Sequence, residues 1–94
     1  MDPKIDFYNI ESPSLRHEVR DIMEELIQLC PSDAAVRATF RFFQGHFLAD
    51  IKIASESVYM TAIDQAGALG EVLDHVKARI MDQILEWRSH RFAS

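Results

Sequence analysis

Between Val36 and Ile63 apolar residues recur at every second position, and no other feature of the chain restricts its fold so tightly. Val36, Ala38, Phe40 and Phe42 fall on one side of an extended chain, with Arg37, Thr39, Arg41 and Phe43 on the other. Phe47, Ala49, Ile51 and Ile53 then alternate against His46, Leu48, Asp50 and Lys52. Between the two runs stand Gln44 and Gly45. Glycine accepts a positive φ without steric penalty, so the pair predicts the corner of a β-hairpin. Ser55-Glu56-Ser57 marks a second turn, and the alternation from Val58 to Ile63 predicts a third strand of the same meander.

On both sides of this block the period lengthens to that of a helix. Residues 4–10, KIDFYNI, alternate loosely and predict a short first strand. Ser12 with Pro13 at the first helical position, or else Ser14, then serves as an N-cap. Leu15, Val19, Ile22, Met23, Leu26, Ile27 and Leu29 form the apolar stripe of that helix, which Pro31 stops. Asp64 reads as the cap of a last helix striped by Leu69, Val72, Leu73, Val76, Ile80, Ile84 and Trp87, although Gly67 and Gly70 weaken its first turn. The order is β-α-β-β-β-α, an α+β fold. A four-stranded sheet with both helices packed on one face buries every stripe and leaves the other sheet face to solvent or a partner. Ninety-four residues allow one domain, spanning 1–94, near the lower limit for a core without metals or cross-links.

Composition narrows the class further. No apolar run approaches the roughly 18 residues of a membrane span, and Met1-Asp2-Pro3-Lys4 lacks the pattern of a signal peptide, so the expected location is cytoplasmic. The single cysteine, Cys30, ends an apolar helix face and reads as packing. Residues 1–33 carry eight acids against three bases, while residues 34–94 carry seven of each. The long-range field of such a chain does not draw phosphates toward it, so any nucleic-acid contact has to be a local patch.

Phe42-Phe43-Gln44-Gly45-His46-Phe47 resembles the active-site motif of the dehydratases of fatty-acid synthesis, in which the histidine works with a carboxylate on a long helix. The likeness stops at the motif. In those enzymes a Pro- and Gly-rich turn follows, whereas here Leu48-Ala49-Asp50-Ile51-Lys52 continues as strand, and Met60 stands where the acid belongs. General acid-base chemistry needs a second titratable group within hydrogen-bond reach, and no motif supplies one. His17-Glu18 and His75 lack metal-ligand spacing, and there is no phosphate loop or nucleophile elbow. The expectation is a non-enzyme with no catalytic residue, no metal and no cofactor.

A second resemblance spans nearly the whole chain. The element order, the strand His46-Phe47-Leu48-Ala49-Asp50-Ile51-Lys52-Ile53, and the ending Arg79-Ile80-Met81-Asp82-Gln83-Ile84-Leu85-Glu86-Trp87-Arg88 resemble the ribosome hibernation promoting factors, the ribosome-associated inhibitor or protein Y family. That likeness implies a ribosome-associated regulator of translation that binds the small ribosomal subunit and holds ribosomal RNA through Lys and Arg on its helices and sheet edge. Carried to this chain, the implied RNA-binding residues are Arg79, Arg88 and Arg91 on the last helix, with Arg37, Arg41 and Lys52 on the outward hairpin face. Tyr59 can join the latter three. A plainer reading of that face is solvated sheet in which Asp50 pairs with bases across the strands. Asp82 and Glu86 stand where the family pattern has bases, and Gln65-Ala66-Gly67-Ala68-Leu69-Gly70 replaces its acidic-aromatic helix start.

The alternative function is a protein-interaction module, a homodimer that keeps the fold without binding RNA. It is motivated by the acidic first third and by Phe43, Leu48, Met81 and Leu85, which fall off the core stripes.

Overall fold

The computed structural model describes residues 3–92, with side chains to residue 89. It contains β1 (Lys4–Tyr8), α1 (Pro13–Gln28), β2 (Ala35–Phe43), β3 (His46–Ala54), β4 (Tyr59–Ala66) and α2 (Leu69–Phe92). The strands lie side by side in the order β1-β2-β3-β4. β1 runs parallel to β2, and the other two pairings are antiparallel. A parallel pair needs a crossover, which α1 supplies; the antiparallel pairs need only turns.

The alternation read from β2 and β3 is the alternation observed. Ala38, Phe40, Ala49, Ile51 and Ile53 are buried, as are Met60, Ala62 and Ala66 of β4. They meet Val19, Met23 and Leu26 of α1 and Leu69, Val72, Leu73, Val76, Ile80 and Ile84 of α2 in one hydrophobic core. Every buried strand residue therefore projects from the same side of the sheet, and both helices cover that side. Phe7 adds a ring stacked 6.1 Å from its cross-strand neighbour Phe40, and Phe42 packs 4.7 Å from Phe47 at the hairpin end.

The hairpin is as tight as its sequence implies. Phe43 pairs with His46, so Gln44 and Gly45 alone make the loop, at φ of 51° and 79°. Two successive positive φ values define the turn whose twist matches that of antiparallel strands. Asn9 also has a positive φ, 61°, ends β1 and donates from Nδ2 to the Phe42 carbonyl at 3.3 Å. Asparagine tolerates this region better than most residues. β1 thus ends at Tyr8, two residues short of the expected limit at Ile10, which is buried. Ser12 is the N-cap of α1: its Oγ accepts from the Leu15 amide at 3.4 Å.

The expectation for Asp64 is overturned. It caps no helix, because β4 stays in register with β3 as far as Ala66 opposite Phe47, and α2 starts only at Leu69. Asp64 sits opposite Ala49 on the helix-covered side, where its Oδ2 lies 3.1 Å from His75 Nδ1 and 3.8 Å from Arg79 Nη2. Sheet register outweighed a local capping signal, and the carboxylate ties β4 to α2. Met81, expected off the core, is half-buried and packs against it.

Candidate nucleic-acid interface

Strand alternation and register together determine what the uncovered side of the sheet displays. One row across it holds Lys4, Arg37, Lys52 and Thr61, on β1, β2, β3 and β4. The next holds Asp6, Thr39, Asp50 and Ile63, and the one after it Tyr8, Arg41, Leu48 and Gln65. Tyr59 lies beyond Lys52, and Phe43 and His46 occupy the hairpin end. Neighbouring strands lie about 4.8 Å apart, so the cationic ends of Lys4, Arg37 and Lys52 line up over roughly 10 Å. The face carries four bases against two acids. Tyr8, Phe43, Tyr59 and Ile63 are the large hydrophobic residues exposed on it.

Cations differ in how they are employed. On the helices, Arg16 donates to the Ile10 carbonyl at 2.8 Å and lies over the Phe7 ring, as does Arg20. Lys77 pairs with Glu25 at 2.9 Å. Arg79 donates from Nη1 to the Ile63 carbonyl at 3.1 Å, and Arg88 reaches the Leu29 carbonyl, the C-cap of α1, at 3.5 Å. Each of these guanidinium or ammonium groups has a contact within the fold. On the open face Arg41 lies 5.2 Å from the centre of the Tyr8 ring. Lys4, Arg37 and Lys52 are exposed and make no ion pair or side-chain hydrogen bond among the described residues.

Five of the six residues named from sequence therefore separate into two groups. Arg37, Arg41 and Lys52 share the open face. Arg79 and Arg88 lie on α2, against the covered side, and are engaged with backbone carbonyls. Arg91 falls in the backbone of α2, with its side chain outside the described residues. The helices also expose Glu18, Asp21, Glu24 and Glu25 on α1 and Glu71, Asp74, Asp82 and Glu86 on α2, which makes their surface unfavourable for phosphates. Two members of the open face, Lys4 and Tyr8, escaped the sequence reading. Their neighbours depend on the parallel register across α1, which no local pattern reveals.

Asp50 does not pair with a base as the plainer reading expected. Thr39 and Ile63 are its cross-strand partners, and its Oδ1 is buried with no hydrogen-bond partner among the described residues. Around it Tyr8, Thr39, Arg41, Leu48 and Ile63 outline a depression of about 390 Å³.

His46 is exposed at the hairpin corner, and its Nδ1 lies 3.1 Å from the Gln44 carbonyl oxygen. Cys30 is half-buried and donates from Sγ to the Leu26 carbonyl at 3.2 Å. Burial pushes its thiol above the usual 9.0, against an opposing pull from Arg88. No group of His, Cys, Asp and Glu suited to a metal ion exists among the described residues, and no helix among them is long and apolar enough to cross a membrane.

By sequence, no family model and no curated protein matches this chain. By structure, it is similar to a ribosomal subunit interface protein from Coxiella burnetii, with a TM-score of 0.73, 13% identity, and coverage of 95% of this chain and 99% of that one. It is also similar to the N-terminal domain of protein Y from Thermus thermophilus, with a TM-score of 0.73, 14% identity, and coverage of 89% and 96%. The chain thus shares the fold of these proteins over about nine-tenths of its length or more, with few identical residues.

Proposed function

We propose that this protein is a divergent ribosome-associated factor of the hibernation-factor type, a cytoplasmic non-enzyme that binds the small ribosomal subunit through ribosomal RNA and modulates translation. One observation carries the reading: a fold shared over nearly the full length with a ribosomal subunit interface protein and with protein Y. The unemployed cations of the open sheet face are in keeping with it, since phosphate binding requires basic groups free to exchange counterions. Sedimentation with purified small subunits tests the proposal. Comigration at low salt that fades as salt rises is expected, and a protein that stays at the top of the gradient at the lowest salt contradicts it.

A second reading is favoured by Tyr8, Phe43, Tyr59 and Ile63, all exposed on the same side of the sheet. An apolar patch of this kind suits a homodimer that keeps the fold without RNA. Light scattering separates the two readings: a dimer mass supports the second, and a monomer removes it.

A further inference from the structure

From the distribution of free and engaged cations, we infer that the open face of the sheet, and not the helical face, is a platform for single-stranded RNA, with a base lodged against Asp50. The inference rests on the ribosome-associated reading and assigns it a surface. Lys4, Arg37 and Lys52 form a row across three strands with no ion pair or side-chain hydrogen bond among the described residues, whereas each described Lys and Arg of α1 and α2 bonds, pairs or stacks within the fold. A phosphate backbone laid along that row meets cations that displace the counterions condensed on it, and that displacement drives binding. Across the next two rows, the depression holds what a base needs. The Tyr8 ring, backed by Arg41, is a stacking surface; Leu48 and Ile63 are apolar walls; and Asp50, which also lines the depression, has a buried Oδ1 with no donor among the described residues. Stacking on aromatic side chains is the common way single strands are held.

The chemistry of the orphan acceptor also ranks the bases. A carboxylate accepts from the exocyclic amino group of cytosine, adenine or guanine, while uracil offers only a ring N–H flanked by two carbonyls that repel the carboxylate. Against the homodimer that the exposed apolar residues of this surface suggest, four bases and two acids would face their own image, a repulsion that a strand of RNA does not meet.

Binding of fluorescently labelled oligocytidine and oligouridine, eight nucleotides each, to the whole chain at low salt tests the inference. Wild type is expected to prefer oligocytidine by roughly 3- to 10-fold, the worth of one hydrogen bond. D50A is expected to erase the preference without weakening oligouridine. R37E and K52E are expected to weaken both oligonucleotides and ribosome comigration, while R88E on the helical face leaves oligonucleotide binding unchanged. Thermal melts verify that each variant is folded. No binding by wild type, equal affinity for the two oligonucleotides, or a preference that survives D50A overturns the inference. So does a dimer mass with the open face shielded. If wild type comigrates with ribosomes and R37E and K52E do so equally, the ribosomal reading stands and the surface assignment fails. If wild type binds oligocytidine but never comigrates, the platform stands and the ribosomal reading fails.

Discussion

Single residues in this chain are legible in proportion to how local their constraints are. Arg37, Arg41 and Lys52 can be placed together from sequence because a period of two assigns strand faces and a two-residue corner fixes the pairing of β2 with β3. Arg79 and Arg88 could be placed on α2, but no pattern says that the Ile63 and Leu29 carbonyls await them. Ile51 is fully buried on the central strand β3. I51A is therefore expected to lower unfolding free energy by about 2–5 kcal/mol in a denaturant titration, and a loss below about 1 kcal/mol would contradict the packing described. Cys30 carries a pH signature. Its folded thiol ionises above 9.0, so the unfolded thiol loses its proton first and its contribution to stability is lost as pH rises beyond that value. Thiol alkylation near pH 8 is expected to be slow in the native protein and fast in denaturant, and equal rates would show the thiol to be unprotected.

At the scale of elements, tertiary register decides what propensity leaves undecided. The stripes of α1 and α2 and the alternation of β2, β3 and β4 are observed as the spacing implies, because each hides one apolar face in a common core. The start of α2 is not, because pairing with β3 holds Asp64, Gln65 and Ala66 in the strand despite a capping residue. The hairpin corner offers a direct test. Gln44 sits at φ 51°, where asparagine is better tolerated, so Q44N is expected to raise stability by a few tenths of a kcal/mol in thermal melts. G45V, forced to the φ of 79°, is expected to lower it by about 1–2 kcal/mol. The outer edge of β4 is closed by side chains. Gln83 accepts from the Thr61 amide at 3.1 Å and donates to the Thr61 carbonyl at 2.8 Å, while Arg79 serves the Ile63 carbonyl. Q83A opens that edge, with an expected loss of about 0.5–1.5 kcal/mol and a rise in concentration-dependent self-association seen by light scattering. Unchanged stability would mean that water replaces the glutamine without penalty.

As a whole, the molecule is a slab of 46 × 23 × 16 Å whose two broad sides differ in character. The helical side exposes eight acids, and its described Lys and Arg have contacts within the fold; the sheet side exposes three cations that have no partner among the described residues, beside exposed aromatic rings. A net charge of −5 hides this division, which is why composition alone argued against phosphate binding. The fold was readable from residue spacing, and it is the fold of a ribosomal subunit interface protein and of the N-terminal domain of protein Y. The open face proposed as the binding surface was only half readable, since Lys4 and Tyr8 join it through a parallel pairing that packing alone determines. Sedimentation of the wild-type chain with purified small ribosomal subunits, from about 50 to 300 mM salt, addresses the central claim most directly. Comigration at the low end that is progressively lost toward the high end is the predicted result, and a chain that remains free of subunits at every salt concentration would contradict it.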